Sequence, residues 1–398
     1  MKIGMMLDLY KPHISGVTNY VDLNKRILEE LGHDVYVFTF GDEKDVEGEK
    51  NVICTPGLPL KDTGVHLNLS YNKRARQLLY TMDIVHVHHP FLSGTLALRY
   101  CRPRGIPIVF TNHTRYDLYA QAYLPMLPDA LSEAALKTYL PSFCRACDLV
   151  ISPSRGMVDV LRHLDVTSEI VIIPNGVDLA RFFNPTTPID RTTLGLTESA
   201  TVLTYVGRVA AEKNLAFLLR AFNGMAQAYP DIDLLVIGTG PELDNLKDQA
   251  AHLDQAKRIH FTGFIPYDEL PRYLTVADAF VTSSVSEVHP LSVIEAMAAK
   301  LPVLGITSPG IEDTIEDGVT GYLASNDLAS FTAKMVKMAT EPKKRKLMGL
   351  KAHAKSKVHD IRPPSEIVLG HYERLFSASI IHRRGMRYRI NRIWDKWR

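Results

Sequence analysis

Apolar and polar positions along this chain follow two patterns that take turns. Short runs of adjacent apolar residues recur in "KIGMML", from Val35 onward, and in "DIVHVHHP", "PIVFTNH" and "DLVISPS". Runs of this length suit strands buried on both faces of a parallel sheet. Between the runs, apolar positions return every three or four residues. In "TNYVDLNKRILEELG" Val21, Leu23, Ile27, Leu28 and Leu31 fall along one side, and Gly32 supplies a stop. The alternation predicts repeated strand–helix units, and hence parallel sheets covered by helices.

The pattern breaks at "IIPNGVDLARFFNPTTPIDRTTLGLTESA", where prolines, Asn-Gly and threonines crowd together. A second series follows in "TVLTYVGR", "DLLVIGTG", "IHFTGF", "AFVTSS" and "LPVLGI". The division expected is a first Rossmann-like domain over 1–175, a linker over 176–198, a second such domain over 199–360, and a helical segment with a basic tail over 361–398. Two doubly wound α/β domains are predicted. In such sheets ligands collect beyond the carboxyl ends of the strands, so chemistry should be sought just after them.

The length of 398 residues fits two cores, and 46% hydrophobic with 23% charged residues is ordinary for a folded protein. Asp8 interrupts the only early apolar run, and no stretch of eighteen apolar residues occurs, so a cytoplasmic location is expected. Four cysteines are too few for a disulfide framework, and the single CxxC at Cys144 and Cys147 has no second pair to complete a zinc site. The charge of +2 is uneven. The tail "HRRGMRYRINRIWDKWR" is strongly basic and interleaved with Ile and Trp, a composition suited to an anionic membrane surface, whereas no nucleic-acid module is recognisable. That places the chain in the cytoplasm with a peripheral seat at the inner membrane face.

Candidate chemistry gathers after the strands of the second series. "SEVHPLSVIEAMA" sets Glu287 eight positions before Glu295, with Pro290 suited to the start of a helix between them. The first amides of that helix, at Leu291, Ser292 and Val293, offer partial positive charge to an anion while the carboxylates accept hydrogen bonds from hydroxyls. Solvated helix-end glutamates would look the same. "YVGRVAAEKN" adds Arg208 and Lys213 at the same sheet edge, an arginine for a bidentate phosphate grip and a lysine as a point charge, or simply a soluble surface. The glycines of "GTGPEL" do not make a dinucleotide fingerprint, because Leu243 stands where a third small residue is needed.

"GRVAAEKN", "VIGTGPELDNL", "HFTGFIP" and "SEVHPLSVIEAMAAKLPV" together resemble the donor domain of retaining glycosyltransferases of family 4. That resemblance implies the GT-B fold, two Rossmann-like domains facing a cleft, and transfer of a hexose from a nucleotide sugar such as a UDP- or GDP-hexose. It implies that Arg208 and Lys213 hold the donor diphosphate, Glu287 the transferred hexose and Glu295 the ribose, with backbone near Gly263 and Phe264 toward the base. Val288, His289 and Pro290 depart from the small, aromatic and glycine residues usual after the first glutamate, which leaves the hexose open. In the first half, the resemblance assigns Gly16 of "PHISGVTNY" to a close approach to the diphosphate and His113 of "VFTNHTRYDLY" to the reacting sugar. By themselves these are a turn glycine and a strand-end histidine.

His86 and His88 share a strand face, and Asp231 and Asp233 form a DxD, but neither set has the partners of a metal site. No metal or other cofactor is expected, since the fixed cations and the helix start suffice for a leaving diphosphate. "TNHTRYDLYAQAYLP" also resembles transferases that glucosylate diacylglycerol, which points to a membrane glycerolipid acceptor. A soluble glycan or small alcohol as acceptor, and a non-catalytic sugar-nucleotide binding protein, stay open here.

Overall fold

The computed structural model describes residues 1–13, 15–59, 66–118, 129–184 and 187–384. They form two units. One comprises Met1–Gly176 and the chain from Ile361 onward, the other Val177–Asp360.

The first unit holds a seven-stranded sheet in the order β3-β2-β1-β6-β7-β8-β9. Its strands are β1 (Lys2–Met6), β2 (Asp34–Phe40), β3 (Val52–Thr55), β6 (Ile84–Val87), β7 (Ile108–Thr111), β8 (Leu149–Ser152) and β9 (Ile170–Ile172), all paired parallel. A separate two-stranded ribbon joins β4 (Leu58–Pro59) to β5 (His66–Leu67). The amphipathic segment forms the helix Gly16–Glu30, capped by the Ser15 hydroxyl, which accepts from the Thr18 amide at 3.2 Å. It ends as expected, with Gly32 in the left-handed region at φ 87°.

The second unit holds a six-stranded parallel sheet in the order β12-β11-β10-β13-β14-β15. The strands are β10 (Thr201–Val206), β11 (Ile232–Ile237), β12 (Ile259–Gly263), β13 (Ala279–Thr282), β14 (Val303–Ile306) and β15 (Gly321–Ala324). All ten strands expected from apolar runs are present. The three larger-sheet strands that no run announced, β3, β9 and β15, each lie at a sheet edge. There one side of the ladder meets solvent, so a long apolar run is not required.

Two expected boundaries shift. Residues 177–184 and 187–198 form no free linker, because Val177, Leu179, Phe182 and Leu196 are buried in the core of the second unit. The helix Arg362–Arg384 in turn belongs to the first unit. Val368 and Tyr372, one helical turn apart, pack beside Ile3, Met5, Tyr20 and Val35. Ser365 donates to Asn24 Oδ1 at 2.9 Å. Where the chain leaves and re-enters this unit, a Cβ on Gly176 would lie 2.3 Å from the Ile361 Cα, so only glycine fits. Apart from its first three residues, which end the helix Arg362–Arg384, the basic tail proposed as a membrane contact lies outside the described residues.

Candidate active site

Strand order reverses in the second unit between β10 and β13, a topological switch point where the loops after the two strands diverge to opposite sides and leave room for a ligand. Arg208 and Lys213 lie after β10, and Glu287 after β13. The two loops are laced together. Ser283 donates to the carbonyls of Lys213 at 3.0 Å and Asn214 at 2.8 Å, and the Tyr205 hydroxyl donates to the Arg208 carbonyl at 3.0 Å. The glycines of "GTG" serve this loop. A Cβ on Gly238 would sit 1.9 Å from the Gly207 oxygen, and one on Gly240 would sit 2.2 Å from the Val209 oxygen, so both let the backbone after β11 press against the segment bearing Arg208.

Lys213 Nζ lies 2.7 Å from Glu287 Oε1. Burial alone would raise the Glu287 pKa, but the charge and hydrogen bond of Lys213, helped by Ser284, hold it below the usual carboxylate range. Glu287 is therefore ionised, and two of the three Lys213 donors remain for another acceptor. The loop is buttressed from behind: Gly310 donates its amide to the Glu287 carbonyl at 3.2 Å, and a Cβ there would come within 2.5 Å of the same oxygen. Arg208 is the more available cation, with a loose contact of 3.8 Å to Glu212 and 39% of its side chain exposed.

The helix that carries Glu295 spans Leu291–Ala298, with Pro290 as its cap and not its first residue, so it starts one position later than expected. The Val293 amide turns back to the Pro290 carbonyl at 3.2 Å. This removes Val293 from the expected anion donors and leaves Leu291 and Ser292, whose amides precede any intrahelical acceptor. Glu295 is 4% exposed, and burial raises its pKa to about 7 against the opposing hydrogen bond from the Tyr267 hydroxyl at 2.9 Å. Tyr267 is a functional candidate that the sequence reading passed over. Twenty-eight positions separate it from Glu295, and only the placement of β12 relative to the helix joins them. Gly263 ends β12 at φ 72°, and the Phe264 ring beside it is 55% exposed, open to a planar group.

In the first unit the strand order reverses between β1 and β6. Gly16 begins the helix that follows β1, and a Cβ there would meet nothing within 4 Å, so packing alone does not require glycine. His113 follows β7, with its Nε2 3.0 Å from His88 Nδ1. His86 and His88 are buried on β6 and just beyond it. Asp233 of the DxD is spent within the fold, accepting from the Thr197 amide at 2.8 Å. Among the described residues no cluster of three or more His, Cys, Asp or Glu is arranged to hold a metal ion. No described helix is long and apolar enough to cross a membrane.

Comparison with known proteins supplies the context. The family described as glycosyl transferases group 1 matches residues 187–355, and glycosyltransferase family 4 matches residues 14–181. The alpha-monoglucosyldiacylglycerol synthase of Streptococcus pneumoniae is 31% identical over 345 residues, covering 83% of this chain and 77% of that protein. The synthase of the same description from Acholeplasma laidlawii is 32% identical, covering 81% and 84%. A GDP-mannose-dependent alpha-mannosyltransferase of Corynebacterium glutamicum is 28% identical, covering 81% and 76%. Among solved structures, Anabaena Alr3699/HepE in complex with UDP and glucose aligns with a TM-score of 0.77 at 19% identity, covering 94% of this chain and 99% of that one. Sucrose-phosphate synthase from Thermosynechococcus elongatus aligns at 0.78 and 20%, covering 95% and 99%. Those two likenesses carry the fold, which is GT-B.

Proposed function

The chain belongs to glycosyltransferase family 4, and on that premise we propose that it moves a hexose from a nucleoside-diphosphate sugar to a hydroxyl of a membrane glycerolipid of the diacylglycerol type. The observation that carries the reading is the Lys213–Glu287 pair at 2.7 Å, held between the loops of the switch point and beside the start of the helix Leu291–Ala298. A cation and an acceptor fixed side by side suit a ligand that carries a diphosphate next to a polyhydroxylated ring.

In this reading Arg208, the spare donors of Lys213 and the amides of Leu291 and Ser292 take the diphosphate. Glu287 accepts from hexose hydroxyls, and Glu295, with Tyr267 steadying one oxygen, accepts from the ribose. Gly263 and Phe264 meet the base, Gly16 admits backbone close to the diphosphate, and His113 borders the transferred sugar. The acceptor oxygen bonds to the anomeric carbon as the bond from that carbon to the diphosphate oxygen breaks. The electron pair goes to the diphosphate, and the acceptor proton goes to a phosphate oxygen. The cations and the helix start stabilise that developing charge, so the step draws on no metal. The lipid acceptor is supported by the two relatives named as monoglucosyldiacylglycerol synthases. A UDP-sugar is favoured by the structural neighbour solved with UDP and glucose. The protein would meet its acceptor from the cytoplasmic surface of a membrane.

The test is release of free nucleotide from UDP-glucose, with GDP-mannose in parallel, in the presence and absence of vesicles containing diacylglycerol. Lipid-dependent release with a glycolipid product is expected. Release that ignores the lipid and rises with a soluble sugar would replace this acceptor by a soluble one.

A further inference from the structure

β6 and β7 run parallel with His86 opposite Val109, so side-chain alternation puts His86, His88, Thr111 and His113 on one face of the first sheet. Three imidazoles lie ring against ring there, with centroids 4.1 Å apart for His86 and His88 and 5.2 Å apart for His88 and His113. Tyr20, from the helix Gly16–Glu30, packs against His113 at 4.8 Å and His88 at 5.9 Å. Burial lowers the pKa of His86 to about 3 and those of His88 and His113 well below the usual range, with neighbouring imidazoles adding to the effect at the latter two. All three rings are neutral near pH 7. Each therefore carries one N–H and one lone pair.

His86 places both nitrogens on hydroxyls, Tyr372 Oη at 2.5 Å and Thr111 Oγ1 at 2.7 Å. His88 has only His113. Its Nδ1 lies 3.0 Å from His113 Nε2, while its own Nε2 is buried with no partner among the described residues. Two proton arrangements satisfy the contact. If His113 donates, His88 must carry its hydrogen on Nε2, as a buried N–H with nothing to receive it. If His88 donates, the orphan is a single lone pair. Orphaned buried N–H groups are the rarer defect in folded proteins.

We infer that His88 is a positioning residue: by donating Nδ1–H to His113 Nε2, it locks His113 in the tautomer that carries its proton on Nδ1. His113 then meets the sugar as a hydrogen-bond donor and not as a base. This assignment rests on the reading that places His113 beside the transferred sugar. It agrees with a transfer in which a phosphate oxygen, not a side chain, collects the acceptor proton.

The deciding experiment is nitrogen-15 NMR of the histidine-labelled full chain, with the His113 ring signals identified by their loss in His113→Ala. A protonated Nδ1 and a bare Nε2 on His113 are expected; the reverse pattern overturns the inference. Kinetics with UDP-glucose and diacylglycerol vesicles form the second arm. His88→Leu removes the donor and should lower kcat ~10–100-fold with little change in the donor KM. His88→Asn, whose amide nitrogen can occupy the place of Nδ1, should recover most of the loss. Equal losses in both variants, or none in either, would also overturn it. If His113→Ala transfers at the full rate, the placement of His113 beside the sugar fails, whatever the tautomer proves to be.

Discussion

At the turn of strand order in the second unit stand Arg208, Lys213, Glu287 and Glu295; at the corresponding turn in the first stand three neutral imidazoles, with Tyr20 packed against them. The backbones answer the same topological demand, yet the chemistry set on them is opposite. The charged site holds its charge by pairing, as Lys213 does with Glu287. Among the described residues no carboxylate bonds the imidazole rings of the neutral site, which relies on hydroxyl and ring-nitrogen hydrogen bonds. A charged diphosphate can be matched only by the first kind, whereas an uncharged hydroxyl needs orientation more than charge. Under the proposed function, the contrast gives substrate grip to one unit and sugar orientation to the other.

That contrast can be broken most sharply at Lys213. Lys213→Ala removes a cation and leaves Glu287 buried without its partner, so transfer should fall ~10²–10³-fold in kcat; a loss below threefold in nucleotide release would separate the pair from the chemistry. His113→Ala should cost less, ~10–100-fold, and almost wholly in kcat, because a neutral orienting group contributes little to holding a charged donor. A rise confined to the donor KM would erase the distinction between the two sites. Glu295→Ala should show the converse split, with a donor KM about tenfold higher and kcat nearly kept.

The pH dependence sharpens the same point. The Glu295 pKa is raised to about 7 by burial, above its unfolded value, so the folded apo-protein binds the proton more tightly. Its stability should therefore decline as pH rises from the unfolded carboxylate range through about 7, by ~1–3 kcal/mol in total. Thermal denaturation of Glu295→Gln should lack that decline. Donor binding has the opposite sense, since ionised Glu295 accepts hydroxyls best, and the donor KM should rise below pH 7 in the wild type but not in the glutamine variant. The smallest effect belongs to Gly16→Ala. Open space around its Cβ position predicts a stability change within ~0.5 kcal/mol. A raised donor KM there would support the backbone's approach to the diphosphate.

The fold was largely legible because buried parallel strands need apolar runs, and those runs are local. Edge strands β3, β9 and β15 escaped because burial on fewer sides relaxes that need. Val177, Leu179, Phe182 and Leu196 were hidden inside a stretch whose prolines and threonines resemble a linker. For the candidate site, the spacing of Glu287 and Glu295 and the cations after β10 stood out in the sequence. Their partnerships did not: Lys213 and Glu287 are 74 positions apart, and Tyr267 reaches Glu295 only through the packing of β12 and the helix Leu291–Ala298. The glycines of "GTG", which failed as a dinucleotide fingerprint, are spacers for the loop of Arg208.

Tyr372, the hydroxyl partner of His86, lies on a helix that the ribosome completes only after the whole of Val177–Asp360 has been made. The first half of the molecule therefore emerges early but cannot finish its core until that helix has been made. A nascent chain halted anywhere before that helix would carry an unsealed apolar face beside Ile3 and Val35, a target for chaperones, while the second half could already be folded.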